Sequence, residues 1–187
     1  MKLYEKIIES DPLTTTLARV SDDTCQILDE EAKSFNLGAH SADKKYMSGG
    51  ALRHSRTYVL RDSTAISQFQ GDRLHEAPAF VSVLEQTLEI PPVVLSKLMG
   101  RCYYAELPSG AEIPAHTDIG PYFDDVIRLQ LYLSAYCDGM DINAGGIMMT
   151  PSKGELIKFN HTKYHRYTNK SPLPMRFYVF DLYRKRE

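Results

Sequence analysis

Short β-prone runs separated by turn-forming residues fill the second half of the chain. From residue 98 onward these runs alternate with Pro, Gly, Asp and Asn, which favour turns. The predicted strands span residues 99–107, 126–134, 146–150, 155–160, 165–168 and 175–183. Closely spaced strands joined by short turns are typical of an all-β sandwich or barrel. The pattern therefore predicts a mainly β molecule with a jelly-roll core.

The first half of the chain shows helical patterning instead. In residues 22–35, Ile27 and Leu28 are apolar among acidic residues, which indicates one helix. Residues 79–88 carry apolar side chains at helical spacing and indicate a second helix, which Pro91 is expected to end. These helices are predicted to flank the β core.

No domain boundary is visible between the two halves. We find no internal repeat, low-complexity tract or Gly/Ser linker. A chain of 187 residues lies within the usual range for one domain. The sequence therefore predicts a single domain over residues 1–187. In it, residues 1–97 support the core and select the substrate, and residues 98–187 form the β core.

The composition is typical of a globular protein and argues against nucleic acid or a membrane as the main partner. Hydrophobic residues make up 43% of the chain and charged residues 25%, close to globular averages. The formal net charge is −2 with Lys and Arg scattered, unlike a basic nucleic-acid-binding face. No stretch approaches the roughly 20 apolar residues that span a bilayer. Three widely spaced cysteines fit a reducing compartment, so a soluble, cytoplasmic protein is expected.

The side chains of two predicted strands can be assigned to faces, because residues two apart in a strand share a face. In the strand after Val126, one face is polar with a charge in its middle; it carries Arg128, Gln130 and Tyr132. In the last strand an arginine sits among aromatic residues; that face carries Arg176, Tyr178 and Phe180, opposite Phe177, Val179 and Asp181. Polar groups on strand faces of a barrel are candidates for a site.

His116, Thr117 and Asp118 form an HxD element, which on a strand places an imidazole and a carboxylate on one face. HxD alone is a weak signal, but His165 begins a later predicted strand and offers a third ligand. Two imidazoles and one carboxylate on one face of an octahedral ion leave three positions open, as in non-haem Fe(II) oxygenases. The sequence therefore predicts that His116, Asp118 and His165 hold iron.

Arg176 follows His165 by eleven positions and completes the pattern. A 2-oxo acid can take two of the open positions on the metal, and dioxygen the last. The distal carboxylate of 2-oxoglutarate then needs a fixed cation, and the planar fork of arginine binds a carboxylate bidentately. We therefore expect Arg176 to bind 2-oxoglutarate.

With these residues, the second half of the chain resembles the aspartyl/asparaginyl β-hydroxylase family of Fe(II)- and 2-oxoglutarate-dependent oxygenases. Residues 110–118 are similar to that family's stretch around its first metal ligand. Residues 128–131 are similar to its next strand, although the family often has His where Gln130 stands. Its closing segment is matched by residues 154–156, Phe159, Asn160, His165, Asn169 and residues 176–181.

The resemblance implies a double-stranded β-helix, the cupin-like form of the jelly roll. It implies iron ligation by His116, Asp118 and His165 and co-substrate binding by Arg176, with Arg128 and Gln130 helping to hold 2-oxoglutarate. It also implies a hydroxylase that uses dioxygen and releases succinate and carbon dioxide. The retained Asp118 favours hydroxylation over halogenation. The substrate would be a small molecule, such as an amino acid or related metabolite, or a peptide side chain.

Two alternative metal motifs fail on their residues. His161 and His165 are four apart, as on a zinc-protease helix, but the residues between them lack the glutamate base. Residues 138–143 resemble the start of a calcium loop, but a loop from Asp141 would place Ser152 where glutamate is required. We therefore interpret His161 as a turn residue and residues 138–143 as a loop between strands.

Some alternatives stay open at this point. Arg176 could pair with Asp181, and Arg128 could pair with Asp124 or Asp125, in purely structural roles. A cupin-type metalloenzyme without 2-oxoglutarate would keep the three ligands and would not need Arg176. A non-catalytic module on a decayed barrel would be expected to lose a ligand. The segment 49–58 either closes over an anionic substrate or is a solvated loop before a strand.

Overall fold

The computed structural model describes residues 14–37, 55–62 and 71–184, together with Tyr4 and Ile7. The strands of this part are β1 (Thr15–Arg19), β2 (Arg56–Asp62), β3 (Gly71–Asp72), β4 (Met99–Leu107), β5 (Glu112–His116), β6 (Val126–Tyr132), β7 (Met140–Ala144), β8 (Ile147–Met149), β9 (Glu155–Phe159), β10 (His165–Asn169) and β11 (Met175–Tyr183). The helices are α1 (Asp22–Lys33), α2 (Pro78–Leu88), α3 (Pro92–Leu98) and α4 (Pro121–Asp124), with a 3₁₀ turn at Leu74–Glu76. Among these residues, none of the helices has the length and apolar content that crossing a bilayer requires.

Two antiparallel sheets form the core of the molecule. The larger sheet has seven strands in the order β1-β9-β6-β11-β4-β2-β3, and the smaller has four in the order β5-β10-β7-β8. Some neighbouring strands, such as β6 and β11, are far apart along the chain, so the chain crosses over within the sheets repeatedly. The fold is a double-stranded β-helix, as predicted.

The larger sheet has an apolar layer on each side. One layer lies between the sheets and includes Leu107, Ile113, Tyr132, Ile142 and Phe177. The other lies between the larger sheet and the helices and includes Leu28, Phe80, Leu84, Leu129 and Phe180. Strands β4, β6 and β11 therefore send alternate side chains toward the barrel interior and toward the helices.

Helices α1 and α2 form where caps and apolar spacing coincide. The Ser21 hydroxyl caps α1 by accepting from the Thr24 N–H at 3.1 Å. The Glu31 carboxylate of α1 accepts from the N–H groups of Ala79 and Phe80, at 2.7 and 3.1 Å. Because these N–H groups are among those left without helical partners at the start of α2, Glu31 ties the two helices together.

The main predicted elements are confirmed. Helices observed at Asp22–Lys33 and Pro78–Leu88 match the two predicted helices, and β4 and β11 have the predicted bounds. The predicted alternation is confirmed in β6 and β11, since the residues of each face fall into separate apolar layers.

Other expectations need correction. Residues 138–143, predicted to be a loop, contribute to β7, which buries Met140, Ile142 and Ala144 and turns Asp141 and Asn143 outward. The outward residues of this strand are polar, and the burial of its other face depends on the neighbouring strands. The sequence alone therefore did not indicate a strand here. The first half also supplies β1, β2 and β3 to the larger sheet. Of the segment 49–58, residues 49–54 lie outside the described residues, and β2 begins at Arg56.

We predict that Gly154→Ala destabilises the protein more than Gly146→Ala. Both glycines have positive φ, at 83° and 86°, so alanine at either position is expected to cost about 1–2 kcal/mol. A Cβ on Gly154 would also lie 2.3 Å from the Val20 carbonyl oxygen, whereas a Cβ on Gly146 meets nothing within 4 Å. Urea unfolding of both variants checks this, and equal losses of stability would contradict the close approach.

Candidate metal centre

The three predicted ligands converge at one end of the barrel. His116 is the last residue of β5 and His165 the first of β10, and the two are direct partners in the antiparallel register. Asp118 lies two residues beyond β5, where its N–H donates to the His161 carbonyl at 3.0 Å. The strand register thus brings distant parts of the chain together.

The ligand atoms of the three side chains face one another. His116 Nε2 lies 3.8 Å from Asp118 Oδ1, and His165 Nε2 lies 3.8 Å from Asp118 Oδ2. One ligand atom from each of the three residues lies within 4.8 Å of the others. A metal ion bonded to all three at about 2.0–2.2 Å needs ligand atoms at this kind of separation.

Backbone carbonyls orient both imidazoles. His116 Nδ1 donates to the Pro114 carbonyl at 2.8 Å, and His165 Nδ1 donates to the Lys163 carbonyl at 2.9 Å. Since each Nδ1 carries the proton, each Nε2 keeps a lone pair directed at the shared point. Desolvation by burial lowers the pKa of His165 to about 4, so its imidazole is neutral at physiological pH.

The site fits a divalent metal by its donor set. Two neutral imidazoles and one carboxylate on one side of a common point are the arrangement that holds non-haem iron with open positions opposite. Burial alone raises the pKa of Asp118, but the neighbouring guanidinium of Arg128 lowers it; the net shift is downward, so the carboxylate is ionised. An ionised carboxylate and unprotonated Nε2 atoms are the forms that bind a cation.

Arg128 joins Asp118 to a buried carboxylate on the last strand. Its Nη1 donates to Asp118 Oδ2, while Nε and Nη2 donate to the two oxygens of Asp181 at 2.8 and 3.0 Å. The ring of Phe123 lies 5.5 Å from the guanidinium. Arg128 therefore pairs with Asp181 and Asp118, and not with Asp124 or Asp125.

Gln130 lies one step deeper in the barrel, on the same face of β6. Its Nε2 donates to the Tyr167 hydroxyl at 2.7 Å, and its Oε1 accepts from the Tyr132 hydroxyl at 2.6 Å. All three side chains are buried. Tyr103, also buried, has its pKa raised by burial and lies within electrostatic range of Arg128 and Asp118. The interior beneath the three ligands is therefore lined with polar groups.

Arg176 is not brought to this group. In the register of β11 and β6, Asp181 faces Arg128, Val179 faces Gln130 and Phe177 faces Tyr132. Directly paired residues point to the same side of a sheet, so Arg176 points to the opposite side, toward the helices. There its Nη1 lies 3.2 Å from Asp29 Oδ1 of α1. Arg176, which was expected to bind 2-oxoglutarate, therefore lies on the face of β11 away from the three candidate ligands.

His161 lies in a turn, as interpreted from sequence, but it also contacts the site. Its Nε2 donates to the Phe123 carbonyl at 3.0 Å, and its own carbonyl accepts from the Asp118 N–H. His161 Nε2 is therefore engaged at Phe123, and His161 is not among the residues whose ligand atoms converge. His161 therefore supports the loop after β5 that carries Asp118.

Two residues of the site escaped the sequence analysis in their present roles. Asp181 was considered only as a partner of Arg176, yet it is fully buried against Arg128. Tyr122 donates to Asp181 Oδ2 at 3.0 Å from a short helix that no sequence pattern indicated. The alternation of β11 does place Asp181 opposite Arg176, which was the available signal for its face.

A cleft of about 350 Å³ lies beside His165. It is lined by Ala115, Asn143, Tyr164, His165 and Arg166. Tyr164 is highly exposed there, and Arg166 pairs with Asp141 at 2.6 Å. The cleft offers apolar and charged groups next to His165.

Comparisons with known proteins give no match by sequence and several by fold. The sequence matches no protein-family model. No curated protein matches it either. A prolyl-4-hydroxylase from Pseudomonas putida has a TM-score of 0.57 and 13% identity, with 98% of each chain covered.

Two further solved structures are similar to the chain and carry 2-oxoglutarate. HygX from Streptomyces hygroscopicus, with nickel and 2-oxoglutarate bound, has a TM-score of 0.58 and 10% identity, covering 97% of this chain and 85% of that one. The viral collagen prolyl hydroxylase of Paramecium bursaria Chlorella virus-1, in its 2-oxoglutarate complex, has a TM-score of 0.53 and 14% identity, covering 92% and 96%. At these identities the likeness establishes the fold, and the chain shares the double-stranded β-helix of these proteins.

Proposed function

We propose that the chain is an Fe(II)- and 2-oxoglutarate-dependent oxygenase that hydroxylates an unactivated C–H bond. The observation that carries the proposal is the convergence of two pre-oriented imidazoles and one ionised carboxylate, from His116, His165 and Asp118. The fold shared with prolyl hydroxylases and HygX supports it, because two of those neighbours hold 2-oxoglutarate.

In this proposal the protein's own side chains bind the metal and orient the molecules that react there. His116, Asp118 and His165 would hold iron, which could then also take 2-oxoglutarate and dioxygen. Bound iron with these two molecules supplies the oxidation of the substrate C–H bond, with succinate and carbon dioxide as co-products. The carbonyls of Pro114 and Lys163 prevent the imidazoles from turning away.

Arg128 and Gln130 are proposed to contact the co-substrate. Arg128 uses one N–H on each of its three nitrogens for Asp118 and Asp181, which leaves the second N–H of each terminal nitrogen for an anion. Gln130 and the neighbouring tyrosines provide neutral polar groups deeper in the barrel. The pairing of Arg176 with Asp29 favours a structural role for Arg176 over its expected co-substrate role.

The finer assignments are also proposals. The motif at residues 110–118 supports kinship with the aspartyl/asparaginyl β-hydroxylases. We infer that residues 1–187 act as one domain on a small molecule, such as an amino acid, or on a peptide side chain. The three free cysteines fit the reducing cytoplasm as its location.

A second candidate is a cupin-type metalloenzyme that does not use 2-oxoglutarate. It is favoured by the orientation of Arg176, since the cation expected to anchor the distal carboxylate points toward α1. It would keep the three ligands and use the polar interior for a different small molecule. The two candidates differ in whether 2-oxoglutarate binds at the metal.

We expect anaerobic protein loaded with Fe(II) to develop a visible charge-transfer absorption when 2-oxoglutarate is added. A 2-oxo acid chelates iron through its keto and carboxylate oxygens, so the band reports binding without any need for the substrate. Admitting oxygen should then yield succinate. EDTA should abolish both signals. An iron-loaded protein with neither band nor succinate would favour the second candidate.

We expect His165→Ala to weaken Mn(II) binding by about 100-fold or more. Removal of a direct ligand should cost at least as much as the 10–100-fold typical of outer-shell changes. His75→Ala is the control, because His75 has a side chain 75% exposed and lies in the 3₁₀ turn away from the ligands. Titration with Mn(II) followed by electron paramagnetic resonance measures both. Unchanged binding in His165→Ala would refute the ligand set.

We expect Arg128→Gln to raise the KM for 2-oxoglutarate by about 10–100-fold at saturating Fe(II). A hydrogen bond to a charged group contributes about 1.5–3 kcal/mol, which corresponds to that range. Arg176→Gln should leave this KM within about twofold and lower the free energy of unfolding by about 1–3 kcal/mol, because Asp29 loses its partner. The opposite pattern in KM would restore Arg176 as the co-substrate residue.

A further inference from the structure

The Tyr122 hydroxyl occupies a junction between three parts of the chain. It accepts from the Arg101 N–H of β4 at 2.8 Å and donates to Asp181 Oδ2 of β11 at 3.0 Å. Burial and the Asp181 carboxylate raise the pKa of Tyr122, so the hydroxyl keeps the proton that it donates. Tyr122 itself lies in α4, which follows the loop that carries Asp118.

Gly100 provides the space for this hydroxyl. A Cβ at Gly100 would lie 2.6 Å from Tyr122 Oη and 3.5 Å from the Asp181 carbonyl oxygen. Glycine weakens a strand, and Gly100 is not among the glycines with positive φ, so its backbone conformation does not require glycine. The glycine is therefore explained by the room that the Tyr122 hydroxyl needs.

From Tyr122, hydrogen bonds lead directly to a proposed metal ligand. Asp181 Oδ2 accepts from both Tyr122 and Arg128 Nη2, and Asp181 Oδ1 accepts from Arg128 Nε. Arg128 Nη1 then donates to Asp118 Oδ2. With Oδ2 held in this way, Asp118 Oδ1 would be the oxygen left for a metal.

The same segment reaches Asp118 by a second route. The carbonyl of Phe123, next to Tyr122, accepts from His161 Nε2, and the His161 carbonyl accepts from the Asp118 N–H. Thus α4 is connected to both the side chain and the backbone of Asp118. Displacement of α4 would loosen both connections together.

We propose that Tyr122 is a positioning residue that sets the orientation of the Asp118 carboxylate through Asp181 and Arg128, and thereby the affinity for divalent metal. The proposal rests on the proposed function only in taking Asp118 as a metal ligand. Tyr122 touches neither the metal nor any substrate in this role. Gly100 is part of the same arrangement because the absence of a Cβ leaves room for the Tyr122 hydroxyl.

The test compares two tyrosine variants that lose the same kind of bond. Tyr122→Phe keeps the ring and removes the hydroxyl. Tyr58→Phe is the matched control, because Tyr58 is also a buried tyrosine that donates to a carboxylate, Glu76, but packs in the helix-side layer. Gly100→Ala is a second variant, which places a methyl group in the space of the Tyr122 hydroxyl and leaves Tyr122 itself unchanged.

We expect Tyr122→Phe and Gly100→Ala each to weaken Mn(II) binding about tenfold, at the lower end of outer-shell effects. Tyr58→Phe should bind Mn(II) as the unaltered protein does. The two Phe variants should lose similar amounts of Tm. The absorption spectrum of bound Co(II), which reports coordination, should change in Tyr122→Phe and not in Tyr58→Phe.

Normal Mn(II) affinity and an unaltered Co(II) spectrum in Tyr122→Phe, with His165→Ala defective, would overturn the positioning role alone. Equal loss of affinity in Tyr58→Phe would also overturn it, because general destabilisation would then explain the effect. Unaltered protein that does not bind Mn(II), or His165→Ala that binds normally, would overturn the proposed metal site and this inference with it.

Discussion

The buried pair of Arg128 and Asp181 is the interaction on which the open end of the barrel depends. It joins β6 to β11 across the centre of the larger sheet with two hydrogen bonds, and both side chains are almost without solvent exposure. Burial alone lowers the pKa of Arg128, but Asp181 and Asp118 raise it well above its usual value, so the guanidinium stays charged. Loss of one partner from a buried pair costs about 3–5 kcal/mol, because the other charge is left uncompensated. Its position beside Asp118 connects this pair to the candidate metal centre.

The two faces of the larger sheet carry different kinds of side chain. Side chains toward the helices are mainly apolar and pack against α1 and α2, while the face toward the interior changes from apolar to polar at the end that holds the three candidate ligands. The ligands come from β5, β10 and the loop after β5, so the smaller sheet presents the candidate metal centre to polar residues of the larger one. A barrel of this kind keeps its packing at one end and its polar groups at the other.

The sequence predicted the core elements well and some site residues in part. The candidate ligands His116, Asp118 and His165 lie together, and β4 and β11 have their predicted bounds. Strand β7 was missed because Asp141 and Asn143 are turn-forming residues whose buried neighbours show only in the assembled sheet. Arg176 was expected at the ligands because spacing along the chain suggested it, whereas its pairing with Asp29 depends on a helix more than a hundred residues earlier.

By itself the sequence determined the alternation within each strand, and therefore that Arg128 shares a face with Gln130 and that Arg176 lies opposite Asp181. This information is local, since the side chains of a strand repeat every two residues. Only the tertiary structure decided which face of β11 meets which face of β6, because register between distant strands depends on turns and on the packing of both faces. That register pairs Asp181 with Arg128 and directs Arg176 to the helices. A shift of one residue would have exchanged the two sets of side chains, which is why the sequence could name candidate ligands but could not decide whether Arg128 or Arg176 lies beside them.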